Sequence, residues 1–344
     1  MAPTDPRTPN SSDASADDAP VLPGFNDVQM AAVRIAGKAL RTPIVENPAL
    51  NELVGGRVLI KPECLQRTGS FKFRGAFNRI SQLGADAREG GVVAYSSGNH
   101  AQGVAAAAKL KELPAVIVMP EDTPEIKVSN TAGYGAEVVQ YDRASGDRKA
   151  IAQDLADKRG AVIVPPYDDA NIIAGQGTAG LEFAQDLGAR GVTPDALLVP
   201  AGGGGLLAGV SLAFEGLFPK TAIYSVEPRG FDDHARSLKS GKRRKNKHAT
   251  GSVCDALLAA QPGELTFAIN QRRATGGLAV SDEEVRAAVA FAFRTLKLVV
   301  EPGGAVCLAA VLAGKIDCRN RETAIVLSGG NVDPGLFSEI VNAH

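Results

Sequence analysis

A lysine, a polar turn and a run of glycines are the residues of this chain whose types and spacing could do chemistry. Lys72 lies within SFKFRGA at residues 70–76, and SSGNH follows at residues 96–100. Four consecutive glycines stand further along the chain: Gly202, Gly203, Gly204 and Gly205. A lysine amine can bond to the carbonyl carbon of an aldehyde, and backbone N–H groups freed by glycines can hold a phosphate. Together these segments favour a phosphorylated aldehyde as cofactor, and pyridoxal phosphate is the leading hypothesis.

Lys72 needs a particular environment to act as a nucleophile or a base. A lysine amine is mostly protonated at neutral pH, so the site must lower its pKa or hold the amine in a covalent bond. The turn at residues 68–70, followed by an amphipathic stretch at residues 71–80, predicts a capped helix start that points Lys72 into a cleft. Its position alone is weak evidence, because an isolated lysine in the first turn of a helix more often lies at the surface.

The glycine run is more informative than the lysine. It follows an apolar run at residues 196–200 and precedes LLAGV at residues 206–210, so it leaves a strand and opens a helix. Several backbone N–H groups at a helix N-terminus form an anion site suited to phosphate, although a plain flexible turn is the alternative. The run lacks the Lys-Ser/Thr of a nucleotide-binding P-loop and the distal acid of a dinucleotide fold. The phosphate of a cofactor therefore remains the preferred ligand.

Ser328 stands in SGGN at residues 328–331, which follows another apolar run. If this turn faces the pyridine nitrogen of the cofactor, a hydroxyl there leaves the nitrogen essentially neutral, whereas a carboxylate would keep it protonated. That arrangement favours elimination and racemisation over transamination. Read by itself, the segment is an ordinary loop.

The elements that must position these residues follow a strand-then-helix repetition. Seven short apolar runs alternate with Ala-rich stretches of helical period, at residues 57–60, 91–95, 115–119, 136–141, 196–200, 223–227 and 323–327. This repetition is typical of a parallel α/β sheet, whose ligands bind beyond the carboxyl ends of the strands. The polar turn at residues 96–100, the glycine run and the Ser328 segment fall at such ends.

Composition limits the classes of partner and compartment. The chain has 344 residues, 44% of them hydrophobic, which is enough to fill two lobes around a cleft. Its 37 basic and 38 acidic residues leave the net charge near zero, so small molecules are favoured over nucleic acid or anionic membrane. A basic cluster at residues 239–247 stands without interleaved aromatic residues and is interpreted as a solvated loop.

Cysteine usage and the N-terminal segment indicate a cytoplasmic protein. Four cysteines without a Cys-x-x-Cys pair signal neither a disulfide framework nor a thiolate metal site. We expect a cytoplasmic location, because no apolar run is long enough for a membrane span and no secretion signal is recognisable. Residues 1–23 are rich in Ser, Asp, Pro and Ala and are predicted to be a disordered tail.

Six segments in a fixed order carry a resemblance to a known family. They are TGSFKFRGA (68–76), SSGNHAQG (96–103), GQGT (175–178), VPAGGGG (199–205), EPGGA (301–305) and LSGGNV (327–332). In these segments the chain resembles the serine/threonine dehydratase and serine racemase family of fold type II pyridoxal-phosphate enzymes, over residues 28–332. The resemblance implies a two-lobed, parallel-sheet α/β fold like that of the tryptophan synthase beta chain. It also implies a large cofactor-binding domain of residues 24–90 and 172–344, a small domain of residues 91–171, and a homodimer.

The resemblance assigns roles to individual residues. It makes Lys72 both the Schiff-base lysine and the base at the substrate Cα, with Phe71 beside the cofactor ring and Asn99 bonded to the ring hydroxyl. The glycine run would hold the phosphate, and Ser328 would meet the ring nitrogen. The substrate carboxylate would be gripped by the polar turn, which consists of Ser96, Ser97, Gly98, Asn99 and His100.

The implied activity is that of a lyase. A dehydratase, or ammonia-lyase, of this family converts a 3-hydroxy amino acid to a 2-keto acid and ammonia, and L-threonine and L-serine are the expected substrates. Where relatives often have an acid-Gly-Val segment, this chain has CDALLAA at residues 254–260, so 3-hydroxyaspartate and bulkier substrates stay open. The chain ends soon after Ser328, so we expect no regulatory domain and no feedback inhibition, as in a catabolic enzyme.

Two features resemble the racemases of the family. Serine racemases carry a serine at the position of Ser97, where many bacterial threonine dehydratases carry alanine, and a hydroxyl there could reprotonate Cα from the opposite face. In the same relatives a divalent cation is bound by residues equivalent to Glu227, the Phe231 carbonyl and Asp233. Oxygen ligands of this kind suit Mg²⁺, Ca²⁺ or Mn²⁺, although two acids in a loop are usually just solvated. The remaining histidines, at 234, 248 and 344, show no zinc spacing.

Overall fold

The computed structural model describes residues 21–123, 125–142 and 145–344, so most of the predicted tail at residues 1–23 lies outside the described residues. The strands are β1 (Val45–Glu46), β2 (Arg57–Pro62), β3 (Val92–Tyr95), β4 (Ala115–Pro120), β5 (Glu137–Tyr141), β6 (Val162–Ile163), β7 (Ala196–Pro200), β8 (Ala222–Pro228), β9 (Gly276–Val280) and β10 (Glu322–Leu327). The helices are α1 (Phe25–Ile35), α2 (Pro48–Val54), α3 (Lys72–Ile80), α4 (Ala85–Gly90), α5 (Asn99–Leu110), α6 (Glu125–Gly133), α7 (Arg148–Arg159), α8 (Ala170–Ala189), α9 (Gly205–Leu217), α10 (Asp233–Ser240), α11 (Glu264–Arg273), α12 (Asp282–Phe291), α13 (Pro302–Leu312) and α14 (Pro334–Ala343).

The strands form two sheets. The larger has the order β1-β2-β10-β7-β8-β9 and is parallel except for β1, while the smaller has the order β5-β4-β3-β6 and is wholly parallel. All residues of β4 and β7 are buried, as expected where helices cover both faces of a sheet. The predicted parallel α/β class is confirmed.

The two sheets pack against separate apolar cores. In β10, Ile325 and Leu327 face one core with α12 and α13, and the alternate residues face a second core with α8 and α9. The smaller sheet packs against α5 and also against α3, which contributes Phe73 and Phe77 to its core. Helix α3, which begins with Lys72, therefore touches the core of the smaller sheet.

Glycines let α3, α8 and α9 approach closely. A Cβ on Gly175 would lie 2.6 Å from the Cα of Gly75, and one on Gly177 would lie 2.7 Å from the carbonyl oxygen of Gly209. The Gln176 side chain accepts a hydrogen bond from the Gly75 N–H at 3.1 Å. The GQGT segment thus lies inside α8, where it packs the lysine-bearing helix against the helix that follows the glycine run.

A buried ionic network fixes α3 to β2 and α8. The Arg74 guanidinium donates to both carboxylate oxygens of Glu63, at 2.7 and 2.9 Å, and to both of Glu182, at 2.8 Å each. Lys61 donates to Glu182 at 2.9 Å. Two cations face two carboxylates, so the buried charges are balanced and hydrogen-bonded, as burial requires. This network anchors the helix two residues after Lys72.

The cysteine side chains lie in or beside the cores. All four thiols are free, and Cys254, Cys307 and Cys318 are buried, while Cys64 is half-buried. Burial raises the pKa of Cys64 and that of Cys254 to about 12. Within the part of the chain that the structure describes, no helix is long and apolar enough to cross a membrane.

Candidate active site

One cleft of about 220 Å³ receives the carboxyl ends of strands from both sheets. The segments that follow β3, β7 and β10 all reach it, as the edge rule for parallel sheets predicts. The cleft brings together all the residues predicted to bind cofactor or substrate: Phe71, Lys72, Ser96, Ser97, Gly98, Asn99, His100, Gly202, Gly203, Gly204, Gly205 and Ser328. Segments far apart in sequence therefore form one site.

Backbone contacts with the Ser328 turn set the position of Lys72. Ser70 is extended and forms a β-bridge with Gly329, and the Phe71 N–H donates to the Ser328 carbonyl at 3.1 Å. Helix α3 begins at Lys72 without any side-chain cap. The predicted helix is thus confirmed, but the predicted cap is wrong, because Ser70 pairs with the neighbouring turn instead of turning its hydroxyl to the helix.

The Lys72 amine is buried against a backbone carbonyl. Its Nζ donates to the Pro166 carbonyl at 2.7 Å and lies 5.2 Å from the ring centroid of Phe71. Burial lowers the pKa of Lys72 to about 8, against the opposing effect of the Glu301 carboxylate. A substantial fraction of the amine is therefore neutral near physiological pH, as a nucleophile or base requires.

Glu301 is a member of the site whose role the sequence did not indicate. Its carboxylate accepts a hydrogen bond from Asn99 Nδ2 at 2.5 Å, and Asn99 Oδ1 accepts one from Asn331 Nδ2 at 2.7 Å. Burial, reinforced by Asp255, raises the pKa of Glu301 to about 8. The only sequence signal was its place in the EPGGA segment. This chain of hydrogen bonds fixes the amide of Asn99 within the cleft.

The polar turn opens α5 and ends in a neutral histidine. His100 is buried, with Nε2 at 2.8 Å from the Val164 carbonyl, and its Nδ1 has no partner among the described residues. Burial and the nearby Lys72 lower the pKa of His100 to about 3. The side chains of Ser96 and Ser97 line the same cleft. The turn can therefore offer hydroxyl and backbone donors without a fixed positive charge.

The glycine run has the geometry of a phosphate cradle. In the described part of the chain, the N–H groups of Gly202, Gly203 and Gly204 donate to no other residue. Gly204 has a φ of 92°, which favours glycine, and a Cβ on Gly203 would lie 2.2 Å from the Tyr167 ring. Free N–H groups at the start of α9 fit a phosphate.

The segment 166–168 ties the cradle to other parts of the site. The Asp168 carboxylate accepts hydrogen bonds from the N–H groups of Glu264, Leu265 and Thr266, at 2.8, 3.0 and 3.2 Å, and so caps α11. Thr266 Oγ1 in turn donates to the Gly203 carbonyl at 2.7 Å. Sequence reasoning missed this segment, because its residues act through contacts distant in the chain.

Charged side chains surround the mouth of the cleft. Lys127 on α6 forms an ion pair with Asp255 at 2.7 Å. The exposed Arg148 lines the same cleft, with its guanidinium carbon 5.9 Å from the ring centroid of Tyr95. Arg148 has no carboxylate partner among the residues that the structure describes. A cation is therefore available at the mouth of the cleft.

Two of the predicted metal ligands meet beside the cradle. Glu227, at the end of β8, accepts hydrogen bonds from the N–H groups of His234 and Ala235 at 2.7 and 2.8 Å. Asp233 Oδ1 accepts one from Asn246 at 2.6 Å, whereas Asp233 Oδ2 and His234 Nδ1 have no partner within the described residues. Burial raises the pKa of Glu227 well above its usual value and that of Asp233 to about 7.

These unsatisfied groups fit a cation. Glu227, Asp233 and His234 each offer a ligand atom, all within 4.8 Å of one another, and all three side chains are buried. Phe231 lies in the loop between the two acids. No sequence pattern indicated His234 as a ligand, because only the start of α10 turns its ring toward the carboxylates.

The two-sheet fold, the buried lysine and the glycine cradle define a pyridoxal-phosphate enzyme of fold type II. The family model described as "Pyridoxal-phosphate dependent enzyme" matches residues 35–329, and the chain belongs to this family. Pyridoxal phosphate is accordingly its cofactor, and the family predicted from the sequence is confirmed.

The proteins to which this chain is similar include ammonia-lyases and serine racemases. The chain is 40% identical over 322 residues to an L-threo-3-hydroxyaspartate ammonia-lyase of Saccharomyces cerevisiae, covering 94% of this chain and 97% of that protein. It is 40% identical over 313 residues to a serine racemase of Schizosaccharomyces pombe, covering 91% and 95%. The structure of maize serine racemase has a TM-score of 0.87 and 34% identity, covering 94% of this chain and 98% of that one.

Proposed function

We propose that this protein is an ammonia-lyase that converts a 3-hydroxy amino acid to a 2-keto acid and ammonia. The observation that carries the proposal is the placement of Lys72. Its buried amine, held at 2.7 Å by the Pro166 carbonyl, shares one cleft with the polar turn, the glycine cradle and Ser328. When bound, pyridoxal phosphate withdraws electrons from the substrate Cα, which acidifies the Cα proton and lets the Cβ hydroxyl leave.

Among such substrates we propose L-threo-3-hydroxyaspartate ahead of the L-threonine and L-serine favoured by sequence alone. Two supports are the Saccharomyces relative of that name and the availability of Arg148, whose fork of donors matches a second carboxylate. L-threonine and L-serine lack this group, so they would leave Arg148 unpaired.

Lys72 acts as the base in this mechanism. Its lowered pKa, about 8, leaves part of the amine free to take the Cα proton near neutral pH. The Pro166 carbonyl orients the amine, because Nζ donates to it at 2.7 Å.

The other cleft residues bind and orient. Backbone and hydroxyl donors of the turn at residues 96–100 bind the α-carboxylate, and His100 stays neutral. The glycine cradle holds the cofactor phosphate, Phe71 lies beside the ring, Asn99 meets the ring hydroxyl and Ser328 meets the ring nitrogen. Ser328 lines the same cleft, which supports this contact.

The proposal is tested by keto-acid formation from purified enzyme with each 3-hydroxyaspartate diastereomer, L-threonine and L-serine. We expect the fastest turnover with L-threo-3-hydroxyaspartate. Lys72→Ala should lose turnover, whereas the exposed-lysine control Lys149→Ala should keep the wild-type rate. Borohydride should fix the cofactor on Lys72 alone, as read by peptide mass. Keto acid at an undiminished rate from Lys72→Ala would refute the assignment.

Serine racemase activity is the second candidate, supported by Ser97 and by the Schizosaccharomyces relative. The Ser97 hydroxyl lines the cleft and could return a proton to Cα on the face opposite Lys72. D-serine forming from L-serine faster than pyruvate would make racemisation the main activity.

We also propose the domain division and the assembly. A large domain of residues 24–90 and 172–344 would hold the cofactor, and residues 91–171 would form the small domain that closes on substrate. The separate sheets support the division, although α3 shares the core of the smaller sheet. We propose a homodimer, to be checked by sedimentation equilibrium, and a cytoplasmic location, where four free thiols stay reduced.

A divalent cation is part of the proposal. Glu227, the carbonyl of Phe231 and Asp233 would bind it, and the unpartnered Asp233 Oδ2 supports this. Oxygen ligands of this kind suit Mg²⁺, Ca²⁺ or Mn²⁺.

A further inference from the structure

We infer that His234 supplies a nitrogen ligand to this cation site, so that the site prefers a first-row transition dication such as Mn²⁺ or Co²⁺ over Mg²⁺ or Ca²⁺. The inference rests on the cation site proposed above and names the metal class it takes. It starts from two unpartnered atoms in one buried place, His234 Nδ1 and Asp233 Oδ2. Buried polar atoms without a partner are rare in proteins and require an explanation.

The separations between these atoms fit a shared ion. His234 Nδ1 lies 3.8 Å from Glu227 Oε1 and 3.9 Å from Asp233 Oδ2. These distances are too long for hydrogen bonds, so the imidazole does not satisfy the carboxylates directly. Two atoms bound to one cation at about 2.1–2.3 Å lie no more than about 4.6 Å apart. Both measured distances fall within that limit.

The opposite edge of the imidazole is occupied, which orients the ring. A Cβ on Gly204 would lie 2.4 Å from His234 Nε2, so this nitrogen faces the glycine cradle. Nε2 also lies 3.4 Å from Asn270 Nδ2 and within reach of the Gly202 backbone. A metal on Nδ1 requires the tautomer that carries its proton on Nε2 and donates it to the Gly202 carbonyl. Metal-binding histidines commonly donate their other N–H to a backbone carbonyl in this way.

The donor set determines the class of metal. Carboxylate and carbonyl oxygens alone suit Mg²⁺, Ca²⁺ and Mn²⁺ alike, whereas an added imidazole nitrogen favours first-row transition ions over Mg²⁺ and Ca²⁺. With one nitrogen and two carboxylates, the site has two negative charges and one softer donor. It should therefore bind Mn²⁺ or Co²⁺ more tightly than Mg²⁺.

The test uses the holoenzyme after removal of metal with a chelator, titrated calorimetrically with Mn²⁺ and with Mg²⁺. Pulsed EPR of the bound Mn²⁺ then detects coupling to a directly bound ¹⁴N nucleus. We expect Mn²⁺ to bind at least about tenfold more tightly than Mg²⁺, with ¹⁴N coupling present. His234→Asn should lower Mn²⁺ affinity about tenfold and abolish the ¹⁴N coupling, while Mg²⁺ affinity changes less than about threefold.

Two control variants test whether the effect of His234→Asn is specific to the proposed nitrogen ligand. His248→Asn removes an exposed histidine outside the cluster and should change neither affinity nor coupling. Glu227→Gln removes a proposed oxygen ligand and should weaken both cations.

Bound Mn²⁺ without ¹⁴N coupling in the wild-type enzyme would overturn the inference, and this measurement decides even if His234→Asn does not fold. Binding of no cation would refute the inference and the proposed cation site together. Keto-acid formation by the same preparation separately reports whether the proposed lyase activity stands.

Discussion

At the scale of one residue, the Ser97 hydroxyl could decide whether racemisation accompanies elimination. It lines the cleft in the turn that leads into α5, and Lys72 lies in the same cleft. We expect Ser97→Ala to lower D-serine formation from L-serine at least tenfold, because the second proton donor at Cα is lost. Elimination should stay within about threefold, since it needs only Lys72 as base. Parallel assays of D-serine and pyruvate check the split.

An equal fall in both products of Ser97→Ala would contradict this role. It would show that the hydroxyl binds the substrate carboxylate, as the neighbouring donors of the turn are proposed to do.

Glu301 should make the stability of the folded protein depend on pH. Its folded pKa of about 8 lies above the ordinary value of 4.5. The stability linked to its protonation is fully present below pH 4.5 and is lost as the pH rises through 8. One such group changes the free energy of unfolding by at most about 1.4 kcal/mol per pH unit. In cofactor-free protein, the wild-type Tm should therefore fall relative to that of Glu301→Gln between pH 5 and pH 8.

Thermal unfolding of the two proteins across this pH range is the measurement, and all other titrating groups are common to both. Parallel Tm curves would mean that Glu301 is ionised in the folded chain throughout.

Some residues of the site could be predicted from the sequence alone, and others could not. The turn at residues 96–100, the glycine run and Ser328 were predicted because each stands in a local motif at a strand end, and Lys72 because its segment resembles that of the family. His234 was missed because only the start of α10 turns its ring toward Glu227 and Asp233, and Glu301 because its partner Asn99 lies 202 residues away in the chain. The cap expected at Ser70 was wrong for the same reason: a bridge to Gly329 outweighed the local preference.

At the scale of elements, the start of α11 supports the phosphate cradle. Asp168 caps this helix, and Thr266 in its first turn donates to the Gly203 carbonyl. We expect Asp168→Asn to weaken pyridoxal phosphate binding about tenfold, because the cap that places Thr266 loses its charge-assisted hydrogen bonds. Release of the cofactor on dilution, followed by its absorbance, measures the effect.

The neighbouring Asp169 is a matched control. It caps α8 by accepting hydrogen bonds from the N–H groups of Asn171 and Ile172, both at the start of that helix. Asp168→Asn and Asp169→Asn should each lower the free energy of unfolding by about 1 kcal/mol, because each weakens a helix cap. Only Asp168→Asn should loosen the cofactor. Equal cofactor release from both variants would reduce the role of Asp168 to general stability.

The elements themselves were largely predictable from apolar runs. All seven predicted strands form, mostly within a residue or two of their expected bounds. β1 and β6 were missed because two residues carry no readable pattern, and β9 because it begins with two glycines. Pairing into two separate sheets depends on tertiary packing and had no local signal.

At the scale of the whole molecule, the pair of Lys127 and Asp255 joins the α6 side of the cleft to the opposite wall. An exposed ion pair of this kind contributes little to folding, about 1 kcal/mol or less. We expect Asp255→Asn to leave Tm nearly unchanged but to raise KM several-fold, because the closed cleft loses a contact between its two sides. The wild-type KM should rise toward that of the variant in high salt, since screening weakens the pair.

Asp154→Asn removes a similar exposed pair, with Lys158, that lies within one helix and away from the cleft. It should change neither KM nor its salt dependence. A KM for Asp255→Asn equal to that of the wild type at every salt concentration would rule out the contact as an aid to closure.

The protected thiols make the enzyme suitable for fluorescence work. Alkylating dyes react with thiolates, and burial raises the pKa of all four native cysteines, to about 12 for Cys64 and for Cys254. A cysteine introduced at an exposed position on α7, such as Lys149, would therefore take up maleimide far faster than any native one. The closure proposed for the small domain could then be tested by energy transfer from that dye to the cofactor, without first removing a native cysteine.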